Sequence, residues 1–316
     1  MSLLINKPGV LTTVQDLGRF GWRRFGVNPN GPMDPAAARI ANILVGNDDN
    51  AAFLEMHFPA PEIVFERKSV FSFCGADLGA ELNGQPVVPW QAVVADPGST
   101  LRCAYKACGE RAYLAVRGGI EVPSWLGSAS TNLAAHIGGH KGRRIMKEDR
   151  LRLKSANEKL PKHLPGVGPS LIPRYSRSPT LRVIAGAELE VAGHIPQLTE
   201  MSFTISPDSD RMGFLLSGDE TRARCDPVSI SSAVGFGTIQ LTPDGQMILL
   251  MADHQTTGGY PRIAHVASAD LPLVGQLGPG DSITLEIIAI EEAERLALLF
   301  ERDLSLLRVA CRLAYE

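Results

Sequence analysis

No window of this 316-residue chain strings together the roughly 18 apolar residues that a membrane-crossing helix needs. Its first residues, Met1-Ser2-Leu3-Leu4-Ile5-Asn6-Lys7-Pro8-Gly9, carry no charged leader and too short an apolar stretch for a secretory signal, so a cytoplasmic location is expected. Neither sign of charge dominates. A formal net charge of -3 sets up no field that would recruit nucleic acid or an anionic membrane, and neither is expected as a partner. The five cysteines (Cys74, Cys103, Cys108, Cys225 and Cys311) are odd in number and include no CxxC pair. That excludes a zinc knuckle or a disulfide framework and leaves them as small buried hydrophobes. No GxxxxGK[ST], GxGxxG or GxSxG occurs, so a nucleotide used by this protein is not held here by a Walker loop.

Turn formers, in contrast, are abundant. Glycine (31) and proline (22) punctuate short apolar runs, which points to a β-rich chain long enough for about two domains. Strands are expected at Ile63 to Phe65, Val70 to Phe73, Val87 to Val94, Leu181 to Ile184, Ser202 to Ile205 and Gln246 to Met251, with Asn83-Gly84 as a hairpin turn. A turn followed by an alternating strand recurs at Pro97 to Cys103, Asp149 to Leu153 and Gly280 to Ile287, which suggests two related β domains. The division is a first domain over 1–155, a proline-rich linker over 156–179, a second domain over 180–290 and a C-terminal helix over 291–316. Helices are few. One runs from Pro35 to Val45, with Asp34 as N-cap, proline at the first position and Gly46 as the stop. The other covers Glu291 to Ala314, where Leu296, Leu299, Phe300, Leu307 and Cys311 form a stripe expected to dock on the second domain's barrel.

Chemistry concentrates in a few loops. Asp253-His254-Gln255-Thr256-Thr257-Gly258-Gly259-Tyr260-Pro261 follows an apolar strand with donors and acceptors beside glycines that let backbone approach a ligand. Asp253 is a candidate base, Gln255 and Thr256 suit an amide or carbonyl, Tyr260 can stack or donate, and His254 joins them without a partner in the sequence to fix its tautomer. Thr12-Thr13-Val14-Gln15-Asp16-Leu17-Gly18-Arg19 sets a carboxylate three residues from a guanidinium. The two can pair with each other, or Arg19 can hold a substrate carboxylate or phosphate. Ser209-Asp210-Arg211-Met212-Gly213 repeats that theme, either as solvated turn charges or as an anion-holding, proton-moving pair. His136-Ile137-Gly138-Gly139-His140 has the separation of a helical zinc pair, but its central glycines oppose a helix and no third ligand follows. No bound metal is expected.

Those motifs, in order along the chain with Gly31-Pro32-Met33-Asp34, Arg111-Ala112-Tyr113-Leu114-Ala115-Val116-Arg117-Gly118-Gly119-Ile120 and Gly127-Ser128-Ala129-Ser130-Thr131, resemble the 5-oxoprolinase C-subunit family. That family is also labelled KipI antagonist (KipA), allophanate hydrolase subunit 2 and biotin-dependent carboxyltransferase. The resemblance implies a mainly β fold of two cyclophilin-like β-barrel domains. It also implies a hetero-complex with a KipI-like B-subunit plus a LamB/YcsF-like A-subunit, in which ATP hydrolysis is coupled to opening the lactam of 5-oxo-L-proline to L-glutamate. His254 stands where arginine is common in the family. Our own assignment of roles gives proton handling to Asp16, Asp210 or Asp253 and binding of carboxylate or phosphate to Arg19 and Arg211. Orientation of the amide falls to Gln255, Thr256 and Tyr260, with His254 beside them. Two further readings stand beside the hydrolase. One is carboxyl transfer from carboxybiotin to a urea-like or amide acceptor, which needs a biotin carrier from elsewhere; the other is sequestration of a KipI-like kinase inhibitor.

Overall fold

In the computed structural model, residues 2–154, 160–192, 195–218 and 230–316 are described. The chain is mainly β and divides into two compact units. The first comprises Met1–Arg19, Asn30–Pro173 and Glu301–Glu316, the second Phe20–Pro29 and Arg174–Phe300.

In the first unit the strands are β1 (Ser2–Lys7), β2 (Thr12–Gln15), β3 (Phe53–His57), β4 (Glu62–Phe65), β5 (Ser69–Asp77), β6 (Ala80–Leu82), β7 (Gln85–Pro86), β8 (Ala92–Ala95), β9 (Thr100–Cys103), β10 (Cys108–Val116) and β11 (Arg150–Arg152). They build a six-stranded sheet in the order β11-β1-β4-β9-β6-β7 and a five-stranded sheet in the order β2-β3-β10-β5-β8. Alternation fixes which face is buried: Leu3 and Ile5 of β1, Leu54 and Met56 of β3, Phe71 and Phe73 of β5 and Leu114 and Val116 of β10 join one apolar cluster drawn from both sheets. Asn83 and Gly84 both take positive φ between β6 and β7, the hairpin geometry that the Asn-Gly pair favours. One expected strand is shortened: between Val87 and Gln91 the chain leaves the ladder at Pro89 and at Trp90, whose φ is 60°, and only Ala92–Ala95 pairs.

Helix α1 (Pro35–Leu44) begins and ends as its sequence dictates. The Asp34 carboxylate accepts the Ala37 N–H at 2.9 Å, proline opens the helix, and Gly46 at φ 70° follows its end. Its alanines and Ile40 are buried, and α1 packs on β5 and β10.

In the second unit, strands β12 (Thr180–Ala185), β13 (Ser202–Ile205), β14 (Gly213–Ser217), β16 (Thr238–Leu241), β17 (Met247–Leu250), β19 (Arg262–Val266) and β20 (Ser282–Ile287) close a barrel in the order β12-β19-β16-β17-β14-β13-β20. The closing seam is parallel and pairs Thr180 to Val183 with Thr284 to Ile287. Two short strands, β15 (Ser232–Ala233) and β18 (Thr257–Gly258), pair outside it. Inward side chains include Leu181, Val183, Phe203, Ile205, Phe214, Leu216, Ile239, Leu249, Ile263 and Ile283, all buried. Short helices α2 (Ile195–Glu200) and α3 (Leu271–Val274) sit in the connections.

Helix α4 (Ile290–Tyr315) matches the expected C-terminal helix within a residue at each end. Docking it on the second unit's barrel was the wrong destination for its later turns, which group with the first unit. There Arg39 binds both Glu301 and Asp49, Arg308 binds Asp49, and the Tyr315 hydroxyl donates to the Leu44 carbonyl at 2.9 Å. Ion pairs thus accompany the apolar stripe in this docking. The proline-rich stretch is pinned along its length: Ala92 N–H bonds to the Pro165 carbonyl, Val167 N–H to that of Trp90, Lys162 N–H to that of Ala314 and Ser282 N–H to that of Arg177. The cysteines divide: Cys74 and Cys311 are buried, Cys103 is half-buried and Cys108 is exposed, so the expectation of buried thiols fails at Cys108, in the first residue of β10. Cys225 lies outside the described residues.

Candidate functional site

The first unit holds a dense polar knot at the end of β2. Asp16 and Arg19 both lie in it, and they do not pair with each other. The Asp16 carboxylate accepts four hydrogen bonds, from the Ser128 hydroxyl at 2.6 Å, the Ser130 hydroxyl at 2.7 Å, Ala129 N–H at 2.5 Å and Gly18 N–H at 2.9 Å. Arg19 is 1% exposed and donates to the Asn30 side chain and the Ser130 carbonyl, with its guanidinium over the Trp125 ring at 5.2 Å. The Gly127 to Thr131 motif is therefore a set of donors wrapped around one carboxylate. Gly138 completes the packing: at φ 70°, a Cβ there would lie 2.0 Å from the Ser130 carbonyl oxygen, which only glycine avoids.

A second knot holds the Gly31 to Asp34 motif. The Tyr113 hydroxyl donates to Glu55 at 2.8 Å, Met33 N–H donates to the same carboxylate oxygen, and Asp34 N–H donates to the Tyr113 hydroxyl. Burial, reinforced by the Glu55 and Asp34 carboxylates, pushes the Tyr113 phenol well above its ordinary pKa, so it stays protonated and keeps donating. His140 and Arg143 converge on Asp149, Arg143 through two hydrogen bonds of 2.7 and 2.8 Å. The loop that carries His140 and Arg143 is thus tied down internally. Among the described residues, no group of three or more His, Cys, Asp or Glu is placed to hold a metal ion, and no helix is long and apolar enough to cross a membrane.

In the second unit, the loop after β17 carries the other candidates. Arg211, 9% exposed, grips Asp253 with two hydrogen bonds, Nε to Oδ2 at 2.8 Å and Nη2 to Oδ1 at 3.1 Å, the fork geometry that suits a carboxylate. The backbone reinforces this pair, because Asp253 N–H donates to the Arg211 carbonyl at 2.8 Å. His254 is buried, its Nδ1 against the Gln255 carbonyl. The Gln255 side chain donates to Gln240 at 3.4 Å, and Gln240 donates to the Tyr260 carbonyl at 3.0 Å. Thr256 leads into β18 and receives Val234 N–H on its carbonyl, and the Tyr260 ring is 42% exposed. Asp210 is placed differently: its exposed carboxylate accepts Met212 N–H at 2.7 Å and Gly213 N–H at 3.3 Å, closing its own turn. Arg211, Asp253, His254 and Gln255 are brought together, and Asp210 faces solvent beside them.

Two residues that the sequence reading passed over belong to this cluster. Asn28 donates to the Asp253 carbonyl at 3.0 Å, and Arg23 lies near enough to His254 for its charge to oppose protonation of the imidazole. The signal was present in Phe20-Gly21-Trp22-Arg23-Arg24-Phe25-Gly26, where arginines alternate with rings and glycines. Burial is the largest cause that lowers the His254 pKa, the Gln255 carbonyl and Asp253 only partly opposing it. His265, whose Nδ1 lies 3.1 Å from the Thr238 hydroxyl, is lowered by burial and then by Arg262. His140 is lowered by burial too, despite Asp149 at 3.2 Å.

These depressed histidines fix the sign of a pH effect. As pH falls through the ordinary histidine value of 6.5, the unfolded chain takes up protons on these imidazoles before the folded chain does, so folding stability declines. At lower pH the carboxylates held down by ion pairs, such as Glu188 with Arg262, lose their contribution as well. Urea midpoints measured at pH 7.5, 6 and 5 are expected to fall in that order; a midpoint that rises towards pH 5 contradicts the assignment.

The closed barrel and the two-sheet unit define a mainly β protein of two units, each with its own cluster of polar loops. The chain belongs to the family described as "carboxyltransferase domain, subdomain A and B", whose model matches residues 25–287. It is similar to the 5-oxoprolinase C-subunit of Haemophilus influenzae, 36% identical over 286 residues and 90% of each chain. It is equally similar to the 5-oxoprolinase C-subunit of Escherichia coli, 36% identical over 294 residues that cover 92% of this chain and 93% of that one. Among solved structures, the K. lactis urea amidolyase superposes with a TM-score of 0.89 at 29% identity, across 97% of this chain and 20% of that one.

Proposed function

We propose that this protein is the C-subunit of an ATP-dependent 5-oxoprolinase that opens 5-oxo-L-proline to L-glutamate together with a KipI-like B-subunit plus a LamB/YcsF-like A-subunit. One observation carries this reading: the resemblance to the two bacterial C-subunits runs along at least nine-tenths of both partners, whereas the urea amidolyase is matched over a fifth of its length.

A lactam carbonyl is a poor electrophile, and ATP supplies the activation that lets water attack it. The residues around Arg211 suit the remaining tasks. Arg211 holds the Asp253 carboxylate in a fixed orientation, from which it can take a proton from the attacking water. Gln255, Thr256 and Tyr260 face the amide, and neutral His254 contributes a ring that donates or accepts without adding charge. The Asp16 and Arg19 knot supports the first unit's loops. ATP belongs to the complex, since this chain carries no Walker loop.

The chain co-purified with its KipI-like and LamB/YcsF-like companions is expected to hydrolyse ATP in a manner dependent on 5-oxo-L-proline and to release glutamate stoichiometrically. An assembled, folded complex that leaves 5-oxoproline intact refutes the proposal. Consumption of urea and bicarbonate with a biotin carrier added supports carboxyl transfer instead.

A further inference from the structure

The substrate named above is an anion as well as a lactam, and its carboxylate needs a cation. Both arginines nominated for that task by sequence are engaged. Arg19 is spent on Asn30 and Ser130 within the first unit. Arg211 directs Nε and one terminal nitrogen at Asp253, which already supplies the matching carboxylate. Opening that pair to seat a substrate would leave a buried carboxylate without its cation, a costly exchange.

Arg23 is placed differently. Its side chain makes no hydrogen bond or ion pair among the described residues. It is half-buried at the start of a short turn, Arg23–Phe25, whose end is set by Gly26 at φ 76° with Gly26 N–H bonded to the Arg23 carbonyl. The turn is tied to the site through Asn28, which donates to the backbone carbonyl of Asp253 at 3.0 Å. Arg24 is its natural contrast: it is exposed, and its guanidinium lies over the Phe25 ring at 4.7 Å. Trp22 and Phe25, 37% and 61% exposed with ring centroids 6.0 Å apart, flank the pair of arginines with apolar surface that strengthens any charge contact made there.

We propose that Arg23 is the substrate-binding residue that holds the carboxylate of the lactam, beside the Arg211–Asp253 pair. The assignment rests on the 5-oxoprolinase reading and deepens it: the lactam ring faces Asp253 and Gln255 while its carboxylate reaches the one guanidinium of this cluster that has no protein partner among the described residues. Burial first, and the Arg23 charge after it, lower the pKa of the neighbouring His254 imidazole, so that ring adds no second cation beside Arg23.

The assembled complex carrying R23Q tests this. The KM for 5-oxo-L-proline is expected to rise by about 10–100-fold, the range of a hydrogen bond to a charged group, with kcat within about threefold of wild type. R23K should recover part of the loss, and R24Q should behave as wild type. Thermal midpoints of all three should stay close to the parent, because neither arginine makes a hydrogen bond or ion pair among the described residues. An unchanged KM in R23Q, or an equal rise in R24Q, overturns the role of Arg23 while leaving the hydrolase standing. A wild-type assembly without 5-oxoproline turnover overturns both.

Discussion

Asp16→Ala is expected to cost about 3–5 kcal/mol of folding stability, the range for removing one partner of a buried charged network. Four donors point at this carboxylate, two of them backbone N–H groups of Gly18 and Ala129 that cannot turn elsewhere. Ser128 and Ser130 lose their acceptor at the same time, and the Ser130 carbonyl is also a partner of Arg19, so the loss spreads into the neighbouring guanidinium. Asp16→Asn should cost less, because one oxygen remains, but its amide brings donors against Ala129 N–H. Urea unfolding of the three proteins decides the matter. A change below about 1 kcal/mol for the alanine variant would mean that water replaces the carboxylate and that the knot is not a structural centre.

Asp253→Asn is expected to lower kcat of the assembled complex by at least about 100-fold, the lower bound for a general base, while keeping the fold. Asparagine retains an oxygen for one Arg211 nitrogen and loses the charge that accepts a proton. Arg211→Met should reduce turnover through another route, since Asp253 would lose the two hydrogen bonds that orient its carboxylate. The base itself remains in that variant, so Arg211→Met should retain more kcat than Asp253→Asn. Wild-type turnover in both would remove Asp253 from the chemistry.

What could be read ahead of the structure was local. The Asp34 cap, the proline after it and Gly46 lie within one helix length, and the structure reproduces them residue for residue. The Asn83-Gly84 turn and the strand Ser202–Ile205 were legible for the same reason. Misreadings arose wherever the deciding partner is far along the chain. Glu301 meets Arg39 and Arg308 meets Asp49 across more than 250 positions, and no periodicity in the helix announces those pairs. Arg23 was passed over because its relevance depends on Asn28 reaching Asp253, 225 positions away. The Arg19 and Asp16 spacing invited pairing between neighbours, yet serines 112 and 114 positions on compete better for the carboxylate. Val87 to Val94 reads as alternation until Pro89 and Trp90 break the ladder.

The parallel seam between β12 and β20 governs how this protein emerges from the ribosome. The first strand of the barrel has no permanent neighbours until Arg262–Val266 and then Ser282–Ile287 have been synthesised, about 80 and about 100 residues later. During translation Thr180–Ala185 therefore waits with its hydrogen-bonding edges open, a template for intermolecular pairing that disappears only when the last strand arrives and seals the cylinder. Nascent chains stalled before residue 282 should be the ones that chaperones have to guard.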